Sequence, residues 1–77
     1  MMRVEVHMHG NLRRFLPDGV SSVELDLPDG TRVCDVIERL RADDEIWLAS
    51  IGEDVVPVSA QLSDRASLNL FPILEGG

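Results

Sequence analysis

Asp29-Gly30-Thr31-Arg32-Val33-Cys34-Asp35-Val36-Ile37-Glu38-Arg39-Leu40 holds the decisive pattern. Val33, Val36, Ile37 and Leu40 recur at i, i+3, i+4 and i+7, which lays one apolar stripe along a helix. Asp35, Glu38, Arg39 and Arg41 cover the other side, and Asp35 stands four residues before Arg39 in the favourable order for an ion pair. Pro28-Asp29-Gly30 makes a turn, and Thr31 stands where an N-capping hydroxyl belongs. The helix is expected to fade around Ala42-Asp43-Asp44. A helix with one buried stripe needs a sheet to cover.

The flanking chain supplies that sheet. Upstream, residues 22–27 alternate, with Val23, Leu25 and Leu27 on one side and Ser22, Glu24 and Asp26 on the other. Residues 3–9 alternate likewise, Val4, Val6 and Met8 against Arg3, Glu5, His7 and His9. A period of two marks half-buried strands, and neighbours in sequence usually pair. Between them Leu12, Phe15 and Leu16 have helical spacing that Pro17 and Gly19 cut short, so a structured loop with one helical turn is expected. Downstream, Ile46-Trp47-Leu48-Ala49-Ser50-Ile51 reads as a buried strand, with Trp47 in the core or at its margin. Gly52-Glu53 fits a two-residue turn with Gly first. Val55-Val56 then returns, and Pro57 stops it or places it at an edge. Residues 59–64 form a loop with a short helical turn, and residues 66–71 are a last strand with Leu68 and Leu70 on one face.

The order is strand, strand, helix, strand, short strand, strand. The first and last strands can pair in parallel because a long crossover separates them. The expected class is α+β, a β-grasp (ubiquitin-like) fold: a mixed sheet of four to five strands covered by one main helix. The domain is residues 1–71, and residues 72–77 form a flexible C-terminal tail ending in Gly76-Gly77.

Composition narrows the function. The chain has 77 residues, enough for one small domain with little room for an enclosed catalytic cavity. Its formal net charge of −7 disfavours nucleic acid and anionic membrane, and it permits a basic protein partner or simply keeps the chain soluble. The single cysteine, Cys34, forms no internal disulfide, no apolar run is long enough to span a membrane, and the first residues lack a signal-peptide plan. A reducing cytoplasm is the natural setting. All seven basic residues are arginine, so no lysine can accept an isopeptide bond in self-linked chains.

Leu12-Arg13-Arg14 after the first strand, Asp29-Gly30-Thr31-Arg32-Val33 opening the helix, Val55-Val56-Pro57, and above all Leu70-Phe71-Pro72-Ile73-Leu74-Glu75-Gly76-Gly77 complete a second pattern. Along essentially its whole length the chain resembles the ubiquitin-like sulfur carriers that include the molybdopterin synthase small subunit and the thiamine-pathway carrier. It departs from them at Gly52-Glu53, where the family often has Asn-Gly, and at Asp64-Arg65-Ala66, where it often has Asp-Gly-Asp. Arg65 adopts a positive φ less cheaply than Gly, so a differently built turn is expected there.

The resemblance implies a non-enzymatic carrier that binds no cofactor. An ATP-dependent, ubiquitin-activating-like enzyme would adenylate Gly77, sulfur transfer would give a thiocarboxylate, and a sulfur-accepting synthase subunit would consume it, with molybdopterin (molybdenum cofactor) biosynthesis preferred over thiamine, cysteine or another sulfur metabolite. The chemistry needs such help, because a C-terminal carboxyl of pKa roughly 3.3–3.7 is ionised at neutral pH and a poor electrophile. Gly76 and Gly77 let the backbone approach a foreign active site closely, and Pro72 stiffens the exit from the sheet. Ile73 and Leu74 either anchor in a partner's groove or pack back on the domain, partner contact being preferred for at least one. With Glu75 they complete the segment inserted into partner active sites.

Other residues read as ordinary. His7 and His9 lack a completing ligand set for a metal, Cys34 lacks a base, and Arg13 and Arg14 sit on the surface. Asp43, Asp44, Glu45, Glu53 and Asp54 form a solvated rim. Two rival readings remain: a ubiquitin-like modifier conjugated through Gly77, and an interaction module whose Gly-Gly end is idle.

Overall fold

The computed structural model describes residues 1–16 and 20–73. Five strands, β1 Met2–Met8, β2 Ser22–Leu27, β3 Ile46–Ile51, β4 Asp54–Val56 and β5 Ser67–Pro72, form one sheet in the order β2-β1-β5-β3-β4. β1 pairs with β2 antiparallel and with β5 parallel, and β3 pairs antiparallel with both β5 and β4. Helix α1, Val33–Arg39, supplies Val33, Val36 and Ile37 to the core. The sheet contributes Met2, Val4, Val6, Met8, Leu27, Ala49, Leu68 and Leu70 to the same buried cluster. Each is the inward member of its alternation, so the period of two in the sequence becomes the buried face of the sheet.

The helix is fastened differently from the expected threonine cap. Thr31 Oγ1 donates back to the Pro28 carbonyl at 2.7 Å, and Arg32 takes the N-cap position, where its backbone N–H donates to the Asp35 carboxylate at 2.9 Å. The free N–H groups of Val33 and Cys34 donate to the carbonyls of Ala60 and Val58, at 3.0 and 2.8 Å. The loop before β5 therefore satisfies the first-turn donors that a helix cannot satisfy itself. At the other end Ala42 N–H bonds the Ile37 carbonyl and Arg41 N–H the Glu38 carbonyl, both at 3.0 Å, with Arg41 at φ 60°. This is a Schellman closure with arginine where glycine is usual, and it buries Ala42 against the core.

The two-residue turn Gly52-Glu53 forms as expected, with Gly52 at φ 61° and Ile51 opposite Asp54. β4 stops before Pro57 at the sheet edge. Gly10–Phe15 is a 3-10 helix rather than a single turn, and Leu12 is fully buried beneath it. Pro17 and Gly19 lie outside the described residues. The turn at Asp64-Arg65 corrects the expectation of a different build: Arg65 itself takes φ 65°. Two bonds from β1 hold it there. Arg65 N–H donates to the Arg3 carbonyl at 2.7 Å, and Asp64 Oδ1 accepts the Arg3 N–H at 2.8 Å.

A left-handed non-glycine residue costs roughly 1–2 kcal/mol, while glycine's greater freedom in the unfolded chain returns part of that gain. The arginine side chain is 91% exposed and only 4.0 Å from Asp64, so it adds little. Arg65→Gly is therefore expected to stabilise the fold by about 0.5–1 kcal/mol, read as a higher urea midpoint with unchanged slope. A lower midpoint would show that the arginine side chain contributes more than its backbone costs.

Candidate functional site at the root of the tail

β5 runs to Pro72, which pairs with Ile46 across β3, and the Ile73 N–H donates to the Glu45 carbonyl at 3.2 Å. Pro72, counted with the tail in the sequence, is thus the last residue of the sheet. Leu74, Glu75, Gly76 and Gly77 lie outside the described residues.

Three contacts grip this exit. The first is steric: a β-carbon on Gly10 would stand 3.0 Å from Pro72 Cγ, and Gly10 sits at φ 57°, so the proline ring occupies space that only glycine leaves open. The second is a stack: the His9 and Phe71 rings lie parallel within 7° at 4.5 Å between centroids. His9 Nε2 lies 3.1 Å from Asn69 Oδ1, where it acts as the donor, so β5 holds the imidazole in plane over Phe71. The third is ionic: Arg14 Nη2 lies 3.2 Å from Glu45 Oε2, and its guanidinium lies 4.7 Å from the centre of the Phe15 ring. Glu45 therefore touches the tail root through its carbonyl and the 3-10 helix through its carboxylate.

Around this root the outward face of the sheet is partly apolar. Leu48 stands opposite Phe71, Ser50 opposite Asn69, and Val55 opposite Ser50. The register breaks between Ile46 and Leu48, which leaves Trp47 as the extra residue of a bulge. Trp47 is 63% exposed, which corrects its placement in or beside the core. The cause is the bulge, because an inserted residue falls out of the alternation that would have assigned it a face. Val55 and Ile73 are also exposed.

The remaining candidates are dispersed. His7 Nε2 meets Glu5 Oε1 at 2.6 Å on β1, Cys34 is exposed on α1, and the described residues contain no cluster of three metal-ligating side chains. Asp43, Asp44, Glu53 and Asp54 are exposed, whereas Glu45 is half-buried and paired. Sequence reasoning missed Gly10, His9, Arg14 and Glu45 as supports of the tail. Only Gly10, a glycine directly after a strand, carried a signal that could have been followed.

Comparison with solved structures follows from this architecture. A putative molybdopterin converting factor subunit 1 from Pyrococcus furiosus superposes with a TM-score of 0.77 at 22% identity, covering 96% of this chain and 100% of that one. The small archaeal modifier protein 1 of Haloferax volcanii gives 0.76 at 17% identity over 96% and 100% of the two chains. Another Haloferax volcanii protein, solved in solution, gives 0.77 at 21% identity, covering 99% and 87%. The fold is the β-grasp. At these identities the likeness establishes the β-grasp topology and its strand order. No protein-family model matches the chain, and no curated protein matches it by sequence. Among the described residues no helix is long and apolar enough to cross a membrane.

Two substitutions test the site. Gly10→Ala is expected to cost about 1–2 kcal/mol from its backbone angle alone, plus a steric part that Pro72→Ala relieves. The double variant should then lose less than the sum of the singles in urea denaturation, and strict additivity would dissolve the contact. Trp47→Ala should change stability by less than about 0.5 kcal/mol, whereas a loss of several kcal/mol would return Trp47 to the core.

Proposed function

We propose that this β-grasp chain is a sulfur carrier whose tail, leaving the sheet after Pro72, delivers Gly77 to the active sites of other proteins. The observation that carries the reading is the gripped exit at Pro72. A short tail can enter a foreign active site in a defined direction only if its root is fixed, and Gly10, His9-Phe71 and Glu45 fix it. The names of two structural neighbours, a molybdopterin converting factor subunit and an archaeal modifier, agree with this class of protein.

On this reading an adenylating enzyme provides ATP. The Gly77 carboxylate attacks the α-phosphorus, and pyrophosphate leaves. Sulfide-level sulfur from a donor then displaces AMP from the acyl-adenylate to give the thiocarboxylate. Its sulfur bonds to the acceptor held by a synthase subunit, and water cleaves the acyl–sulfur bond to return the Gly77 carboxylate, in molybdopterin synthesis by preference. The carrier supplies the reactive atom, and the partners supply catalysis in the cytoplasm. Trp47, Leu48, Val55, Phe71 and Ile73 offer the adenylating enzyme an apolar surface beside the tail root; an exposed aromatic there adds the kind of anchor that protein interfaces use. A second reading, conjugation of Gly77 to lysines of target proteins, takes support from the modifier among the neighbours.

Coexpression with a cognate adenylating enzyme and a sulfur donor, followed by intact mass measurement, is the direct test. The expected product gains the mass difference between sulfur and oxygen. The chain lacking Gly77 should keep its thermal midpoint and show no such gain. High-mass conjugates without a thiocarboxylate would assign the modifier reading instead, and neither product under productive conditions would sink both.

A further inference from the structure

The edge of the sheet farthest from β4 has a property that the tail does not use. Along β1 the N–H groups of Glu5 and His9 donate to Ala66 and Leu70, and the Arg3 carbonyl accepts from Arg65, so these residues bond towards β5 and the loop before it. Met8 instead donates to the Ser21 carbonyl at 2.9 Å, so Met2, Val4 and Val6 bond towards β2, opposite Leu27, Leu25 and Val23. In an antiparallel pair the alternate residues must then turn their backbone groups outward. Those residues are Ser22, Glu24 and Asp26. β2 is the terminal strand of the sheet on this side, so among the described residues its outward N–H and C=O groups face no strand.

Edge strands are usually blunted by charged side chains, proline or a bulge. β2 has no proline, lysine or bulge, and its only such device is the acidic pair Glu24 and Asp26, which repels acidic strands and admits basic ones. Its inward side chains, Val23 and Leu25, are only half-buried and leave the margin of the core open. Two of its three outward side chains, Glu24 and Asp26, are acidic. Glu24 stands directly opposite Glu5, a like-charged cross-strand pair. Glu5 meets His7 at 2.6 Å, whereas among the described residues Glu24 makes no ion pair within 4.0 Å and only its longer-range field acts on Arg3. Asp26 is held by Arg3 at 3.2 Å.

We propose that β2 is a docking edge for an extended segment of another protein in which apolar residues alternate with arginine or lysine. The added strand would take the outward backbone groups of Ser22, Glu24 and Asp26. Its apolar residues would extend the core past Val23 and Leu25, and its basic residues would relieve the Glu5-Glu24 repulsion. The charge of the edge decides between occupants. A second copy joined about a two-fold axis at Glu24 would set Glu24 against Glu24, and Ser22 against Asp26, which adds repulsion instead of removing it. A basic segment gains where a second copy loses, and the net charge of −7 steers it inward. β1 lies between β2 and β5, the strand that leads into the tail, so the proposed edge is separate from the strand that carries the tail.

The test uses the full chain, labelled with nitrogen-15, and the peptide acetyl-Arg-Val-Arg-Val-Arg-Val-amide. Saturable shifts are expected at residues 22–26, with amide exchange at Ser22, Glu24 and Asp26 slowed roughly tenfold or more at saturation. Glu24→Gln should weaken binding roughly two- to fivefold, the range of an exposed ion pair. Glu24→Pro should abolish binding, since proline removes one outward donor and leaves the β1 ladder intact; if that variant does not fold, the Gln variant and the wild-type exchange data decide. The same peptide with glutamate in place of arginine should not bind. Unchanged exchange at the three amides, equal binding of the glutamate peptide, or protection that grows with protein concentration before peptide is added would each overturn the proposal. None of these readouts involves Gly77, so the outcome leaves the sulfur-carrier reading where it stands.

Discussion

The parallel pairing of β1 with β5 is the constraint on which the rest of the molecule depends. It joins the first strand to the last, Val6 beside Leu68 and Met8 beside Leu70, with all four side chains buried. Parallel neighbours cannot be joined by a tight turn, so everything between them must leave the sheet and return. The chain uses that excursion to place α1 over the inner face and then to add β3 and β4 beyond β5. The loop that enters β5 also closes the helix N-terminus through Ala60 and Val58 and locks onto Arg3 through Asp64 and Arg65. One pairing thus couples the start of the chain, the helix and the final strand. Such non-local closure carries a large entropic cost, which only the whole core can offset.

The same pairing determines where the tail begins. Because β5 lies between β1 and β3, its C-terminal end is flanked on both sides. His9 and Gly10, just past β1, meet Phe71 and Pro72 from one side, and Glu45, just before β3, meets Ile73 from the other. A central strand makes a stiffer platform than an edge strand, since both of its ladders must open before its end can move. The chain therefore leaves the sheet after Pro72 from a root held on both sides.

Charge is distributed in keeping with that division. At the tail root an acid is neutralised: Arg14 pairs with Glu45 and lies over Phe15. Along the β1-β2 side, acids face each other, and Asp26, followed by Glu24, holds the Arg3 guanidinium above its ordinary range. Exposed ion pairs contribute little to stability. Their placement matters more for which surfaces attract partners, and it separates an apolar face near the tail from an acidic edge.

The sequence by itself determined the elements and their faces. The 3.6-residue stripe from Val33 to Leu40 and the alternations of β1 and β2 set the buried side of each, because periodicity is a local property that side-chain chemistry writes directly into the chain. The turn at Gly52-Glu53 and the stop at Pro57 were legible for the same reason. The terminal Gly76-Gly77 was legible as a chemical possibility. Only the tertiary structure decided how the helix is capped, why Trp47 lies outside the core, and how Arg41 and Arg65 come to occupy left-handed angles. These features go against local preference and are held by partners distant in sequence, such as Arg3 at Arg65. The grip on the tail root belongs to the same class. Gly10 and Pro72 are far apart in the chain, and no local pattern announces that one leaves room for the other.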